Sequence, residues 1–441
     1  MNMNHNNNRI QSLFLMFAAF GLLAQTAFPQ TSDFSRQDVN TSFRAKKIPH
    51  FNFQEANIKQ GDFANASGEK INFKNANLEH ANFQNAVFEE PNFNGANLTG
   101  ALIRSSDMRN SKFTESVLDS ADMYRATLLD SRFDKASLIG ANLKMIKVSD
   151  NCKIYKSNLT GANLEDVDFT RADFSKSNLT NAKFARSLLG EADFTKATMV
   201  NTDFNNCNLI RADFSDVVFQ NVNFSKAGLS RAVFDDAEFN KVNFRKADLS
   251  LTYFNDVDLS KTELQQASFA QSKLKNMKFN GQDLSGCVFD KGQLISSDLD
   301  GAALRSSSYF DAELSKVSFK KAEMEKAVFD GAYIYKCDFG KASLVKANLT
   351  NGNIERSSFD MASMVGANFS GAKLSYVTFI NTDLTNSKFD ADTRMESVDF
   401  SGADLSRASM KKIQVKNCIY DSKTRFPEGF NPRKAGFVKR R

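Results

Sequence analysis

Three kinds of residue in this chain have the chemistry for a site: cysteine, histidine and the carboxylates. The five cysteines, Cys152, Cys207, Cys287, Cys337 and Cys418, are candidates for a thiolate nucleophile, a zinc site or disulfides. Their successive separations of 55, 80, 50 and 81 residues match no zinc-ligand spacing. The only histidines, His5, His50 and His80, leave little material for a metal site or a general base. The 51 Asp and Glu residues offer carboxylate pairs, but acid–base work needs a pocket that desolvates one partner. No phosphate-binding glycine loop, serine elbow or calcium nonapeptide is present. The sequence therefore predicts no catalytic residue, no cofactor, no metal and no small-molecule substrate. It leaves the question of what elements hold these residues.

Those elements follow from a five-residue period. Between residues 76 and 100 the chain reads Ala76-Asn77-Leu78, Ala81-Asn82-Phe83, Ala86-Val87-Phe88, Pro91-Asn92-Phe93 and Ala96-Asn97-Leu98. A large apolar residue recurs at every fifth position, with a small residue two before it and often Asn or Asp between. About 74 such centres run from Phe53 to Tyr420, and only Gly68 among them is not apolar. On an α-helix, five residues turn a side chain by about 140°, so the apolar positions would form no stripe. On a flat strand they would alternate between faces. The period works if the chain turns a corner every five residues, four sides closing a square coil of 20. The predicted fold is all-β, a quadrilateral β-helix of about 18 coils spaced about 4.8 Å apart.

The coil places the chemistry-bearing residues. Phe174, Phe194, Phe214, Phe234 and Phe254 recur at 20 residues and are expected to stack as a core ladder, as is Phe369 on another side. All five cysteines fall at the small inward position, which predicts buried, inert thiols and no disulfides. Most of the Asp belongs to the repeat itself. Two phase slips, near Asp150-Asn151 and around residues 391–394, predict bulges or larger loops. Ile71, Pro91, Ile146 and Met277 stand where a small residue is expected and should distort their coils. The outward pairs Thr180-Asn181, Val200-Asn201 and Gln220-Asn221 mark a face low in charge, either a contact face or a solvated wall.

The motif resembles that of the pentapeptide-repeat family, Ala-Asp/Asn-Leu/Phe followed by two variable residues. Clean instances are Ala162-Asn163-Leu164, Ala172-Asp173-Phe174, Ala212-Asp213-Phe214, Ala247-Asp248-Leu249, Ala367-Asn368-Phe369 and Ala403-Asp404-Leu405. The resemblance implies a right-handed coil, a hand that the period alone does not supply. It also brings one functional expectation, since some members mimic DNA and bind a type II topoisomerase through a strongly negative rod. This chain departs from them, because its formal charge is +6, its central body is only weakly acidic and its start resembles an export signal.

The ends complete the expected organisation. Residues 1–27 read as a signal peptide, with an apolar run from Leu13 to Ala24 that is too short to span a bilayer. Residues 28–52 are expected as an N-terminal segment and cap, 53–420 as the repeat body and 421–441 as a basic cap or tail. Phe34, Phe43 and Ile48 are available to close the first coil, and Phe426, Phe430 and Phe437 the last. Lys434, Lys439, Arg440 and Arg441 form either a solvated tail or a patch attracted to an anionic membrane surface. The sequence thus points to a non-enzymatic, exported structural or protein-binding scaffold, periplasmic or extracellular, with a protein partner and no nucleic acid. The alternatives are the cytosolic DNA mimic and a secreted effector.

Overall fold

The computed structural model describes residues 32–255 and 257–440. The expected signal peptide lies outside the described residues. The described chain is a parallel β-solenoid of four-sided coils whose equivalent residues bridge 20 positions apart, as in Asn52↔Asn72↔Asn92↔Lys112. Each centre and the small residue two before it point inward. The Phe53 amide donates to the Asn72 carbonyl one coil on at 2.7 Å, and this pattern recurs along the stack.

The corners explain the outward residues. At a tight corner, the amide three residues after the centre returns to the centre's carbonyl, as Gly61 does to Ile58 at 2.9 Å. The second corner residue takes φ from +50° at Ser296 to +73° at Gly371. That is the left-handed region required at the third position of a type II turn. Non-glycine residues there cost about 1 kcal/mol each, yet Lys, Asn, Arg and Asp fill most of these sites. The Asn or Asp before each centre supports the turn, its side-chain oxygen accepting from the amide two residues on. Asn158 does so for Thr160 at 3.1 Å and Asp173 for Ser175 at 3.0 Å.

A second kind of corner was not foreseen. At some corners, many of them followed by an inward residue bulkier than Ala, the return bond is lost. It measures 3.0 Å to Ala76 and 3.3 Å to Val217, and is absent before Ile71 and Pro91. The side then stays extended and pairs as a true strand with its neighbours. The distortion expected at Ile71, Pro91 and Met277 is therefore local. They open a corner but leave the 20-residue register intact, as Asn72↔Asn92 and Lys278↔Asp298 show. Ile71 also fills space left by Gly68, the one non-apolar centre, since a Cβ on Gly68 would lie 3.0 Å from Ile71 Cδ1. Ile146, also buried, keeps register through Thr127↔Lys147.

A run of open corners builds the largest sheet. Nine parallel strands, from Tyr253–Asn255 to Gln414–Lys416, stack in chain order on one side of the solenoid. The residues after their corners include Met277, Val317, Cys337, Val377, Val398 and Cys418. Smaller sheets begin at Ser67–Glu69 and Thr198–Val200 on other sides.

Register changes lie at four places. Asp33↔Asn52 is one residue short, because the buried Phe43 follows Val39 by four positions instead of five. The segment expected to cap the stack is therefore itself a coil, and the solenoid has about 19 turns. One-residue insertions lengthen the register at Arg132↔Lys153, at Leu374↔Met395 and at Asp404↔Arg425. The first two fall at the expected slips, and the third was missed.

The last two insertions share one device. Asp390 Oδ1 accepts from the amides of Gly371, Asp392 and Thr393 and from the Thr393 hydroxyl, at 2.9–3.1 Å. Asp421 makes the same four bonds with Gly402, Lys423 and Thr424. In each loop the threonine hydroxyl also reaches a core carbonyl, Phe369 or Phe400, at about 3 Å. The signal was legible as Asp-x-x-Thr at 390–393 and 421–424.

The C-terminal segment folds back over the last coil. Phe426, Phe430 and Phe437 cluster with ring centroids 5.4–6.1 Å apart, and Phe437 packs edge-on against Phe400. Val438–Lys439 pairs in parallel with Ile419–Tyr420 and covers that open strand edge.

Candidate interaction surfaces

The interior offers packing. Phe174, Phe194, Phe214, Phe234 and Phe254 form one ladder with centroids 5.0–5.6 Å apart and planes within 17°. Phe369 stacks on Phe389 in another ladder at 4.9 Å. All six rings are buried. The five thiols are free and buried. Burial pushes Cys152, Cys207, Cys287 and Cys337 up to about 12 and raises Cys418 as well. Cys207 and Cys287 donate to the carbonyls of Phe184 and Leu264, each at 2.9 Å. These thiols are poor nucleophiles at neutral pH.

One core residue breaks the apolar pattern. Tyr309 stacks between Phe289 and Phe329 at 5.0 and 4.7 Å. Its hydroxyl is fully buried and falls short of hydrogen-bond geometry to the neighbouring Ser307, whose own hydroxyl donates to the Leu304 carbonyl, and burial raises its pKa.

The chemistry at the surface is ionic and local. Arg186 bridges Asp166 at 2.7 Å and Glu165 at 3.0 Å, and Lys144 joins them at 2.9 Å from Glu165. The Lys144 ammonium holds Glu165 below the usual carboxylate range, and the Arg186 guanidinium does the same for Asp166. Among the described residues, no cluster of three His, Cys, Asp or Glu side chains could hold a metal ion. His50 and His80 stand apart on the surface, each near a single glutamate.

The low-charge face carries a hydrogen-bonded amide ladder. Asn201 donates to Asn181 at 3.0 Å, and Asn221 to Asn201 at 3.1 Å. At the first insertion an open cleft of about 230 Å³ is lined by Asp130, Ser149, Asp150 and Cys152, with Arg171 paired to Asp150. In the basic tail, Arg440 reaches Asp399 at 3.5 Å, while Lys434 and Lys439 face solvent. Arg441 lies outside the described residues.

The outward face of the nine-stranded sheet is the feature that sequence reasoning missed. There the residues flanking each centre both face outward. Tyr333 and Tyr335 lie near-parallel with centroids 6.2 Å apart, Lys336 sits 5.0 Å over Tyr335, and Arg356 sits 5.1 Å over Tyr376. Two open clefts, of about 400 and 550 Å³, adjoin on this side and share Lys373 and Arg394.

A solenoid with an interior filled by its own side chains and an outward code of variable pairs defines a repeat scaffold. The chain belongs to the pentapeptide repeat family. A model of the pentapeptide repeat region matches residues 187–264 and 312–389. A second model, of eight pentapeptide copies, matches 52–89, 81–119, 92–130, 150–186 and 252–290. No curated protein matches the chain.

Among solved structures, the chain is similar to HetL, a pentapeptide repeat protein involved in heterocyst differentiation regulation in the cyanobacterium Nostoc sp. strain PCC 7120. The identity is 19%, over 60% of this chain and 97% of that one, with a TM-score of 0.19. It is also similar to full-length QnrB1, a plasmid-mediated fluoroquinolone resistance protein, at 17% identity over 51% and 92%, TM-score 0.26. A pentapeptide repeat protein from the Arabidopsis thaliana thylakoid lumen aligns at 21% identity over 28% and 66%, TM-score 0.13. The fold is the right-handed quadrilateral β-helix that the family resemblance implied.

Proposed function

We propose that this protein is a non-enzymatic, exported scaffold that presents protein-binding faces on a stiff rod. The observation that carries the reading is the filled interior, with ladders such as Phe174 to Phe254 and Phe319 to Phe400, the latter closed at the C-terminal end by Phe437. Folding free energy goes into a continuous core that each coil shares only with its neighbours, so the outward pairs are free to vary without loss of fold. The polar–basic–apolar–small order of residues 1–27 supports export. The DNA-mimic reading needs a strongly negative rod, whereas the longest sheet of this one exposes Lys316, Lys336, Arg356, Lys373 and Arg394.

Two measurements test the proposal. Intact mass and fractionation of the protein from its native host should show a chain shortened by about 24–30 residues in the periplasmic or extracellular fraction. A full-length cytosolic protein would overturn export. A supercoiling assay with the purified protein should show no inhibition of a type II topoisomerase, and inhibition at submicromolar concentration would restore the DNA-mimic reading.

A further inference from the structure

We propose that the outward face of the nine-stranded sheet, over residues 313–396, binds an acidic polysaccharide laid along the solenoid axis. The inference goes beyond the scaffold reading and stands whether or not a protein partner exists.

The first observation is a set of exposed cations on one face that are not held in ion pairs. Lys316, Lys336 and Arg356 occupy the same corner in three successive coils, all exposed. Lys373 lies directly opposite Arg394 in the sheet register. Like charges opposite one another destabilise a sheet. None of these five makes an ion pair among the described residues, although Lys416 on the same face pairs with Glu396 at 2.6 Å. A bound polyanion would give these cations the close partners they lack.

The second observation is the aromatic surface between the cations. The near-parallel rings of Tyr333 and Tyr335, with Tyr376 on the next corner but one, offer apolar faces bordered by Lys336 and Arg356. Sugar rings present C–H faces that pack on such surfaces, while their carboxylates meet the cations. The clefts around Lys373 and Arg394, the larger also lined by Asp390 and Asp392, add depth at the far end of the strip.

Two features favour a glycan over a nucleic acid. Coils repeat at about 4.8 Å, close to the advance of one pyranose ring along an extended chain, so successive coils meet successive sugars. The cations are also interleaved with Glu313, Asn353 and Glu355, which accept from sugar hydroxyls, donors that a DNA backbone lacks. Surfaces that bind nucleic acids are far more uniformly positive.

Calorimetric titration of the full protein with de-esterified polygalacturonate oligomers tests the proposal. The same oligomers fully methyl-esterified, and an oligothymidylate of equal charge, serve as comparisons. Binding should fall about tenfold or more on esterification, and by a similar factor in the triple variant Lys316→Gln/Lys336→Gln/Arg356→Gln. Tyr335→Ala should weaken binding several-fold, with Tyr335→Phe retaining it. The control Lys321→Gln/Lys341→Gln, one corner away, should bind as the parent does, and circular dichroism melts should show every variant folded. Absence of binding, equal loss in the control, equal affinity for the esterified oligomer, or tighter binding of oligothymidylate would each overturn the proposal.

Discussion

The buried thiols allow a quantitative test of how the coils close. A free thiol near pKa 8.5 is about one quarter thiolate at pH 8. A thiol pushed up to about 12 is about one part in ten thousand thiolate at that pH. Ionisation alone should therefore slow alkylation of Cys152, Cys207, Cys287 and Cys337 by about a thousandfold or more. Burial slows it further, since reagent enters only when a coil opens. Cys418 should react first. Its carbonyl bonds to the Val438 amide, so the coil around it rests on the C-terminal strand, which is the last of the stack. The assay is site-resolved mass spectrometry during iodoacetamide labelling at pH 8, with the denatured protein as the rate reference. Modification of Cys207 or Cys287 within about tenfold of the denatured rate would refute the closed-core reasoning. So would Cys418 proving the slowest. The same shifts set a pH dependence. A folded pKa raised above the unfolded value contributes stability below about pH 8.5, and that contribution is lost as pH rises toward 12. Each pH unit in that window costs about 1.4 kcal/mol per thiol. Cys→Ala variants at these sites should therefore hold better at pH 10 than the parent does.

Tyr309→Phe should stabilise its neighbourhood by about 1 kcal/mol, because it removes a buried hydroxyl without a partner and keeps the ring stack. Slower amide exchange across residues 289–329 is the expected reading, and faster exchange would show a hidden partner. Asp390→Ala and Asp421→Ala should each loosen their loops by about 2 kcal/mol, since four donors lose one acceptor. Backbone bonds hold both carboxyls below the ordinary range, so the parent should lose this contribution as pH falls through their lowered values, seen as exchange rising first at these two loops. Ile71→Ala should cost about 2–4 kcal/mol by opening a cavity next to Gly68. Gly68→Ala should also destabilise, because its Cβ would come within 2.8 Å of the Ile48 carbonyl oxygen. The double variant should cost less than the sum, and strict additivity in denaturant unfolding would argue against the volume exchange.

Much of this architecture was legible in the chain because its signal is periodic and local. Apolar residues at every fifth position admit neither helix nor flat strand, and the inward phase of all five cysteines followed from counting. The Asn or Asp before each centre bonds to an amide two residues away, so its role also survives translation from sequence to structure. The insertions at Asp150-Asn151 and residues 391–394 appeared as breaks in the count. The short first coil and the Asp421 loop were missed because they lie outside the clean run, where Val39 to Phe43 and Tyr420 to Phe426 change the period.

Corner geometry belongs to the tertiary structure. Whether a corner is tight or open depends on the volume at the next inward position and on what the coils above and below leave for it. Ile71 shows this most directly, since its tip lies where a side chain on Gly68 would come within 3.0 Å. The column holding Met277, Val317, Cys337 and Val377 looks irregular in sequence. Stacked at one coil per step, it opens nine successive corners and lays out one continuous sheet. Residues 20 apart become neighbours only through that stacking. For this reason the amino-acid sequence determined the coil, its core and its buried thiols, while the folded stack decided which outward residues share a face and which cations are left out of ion pairs.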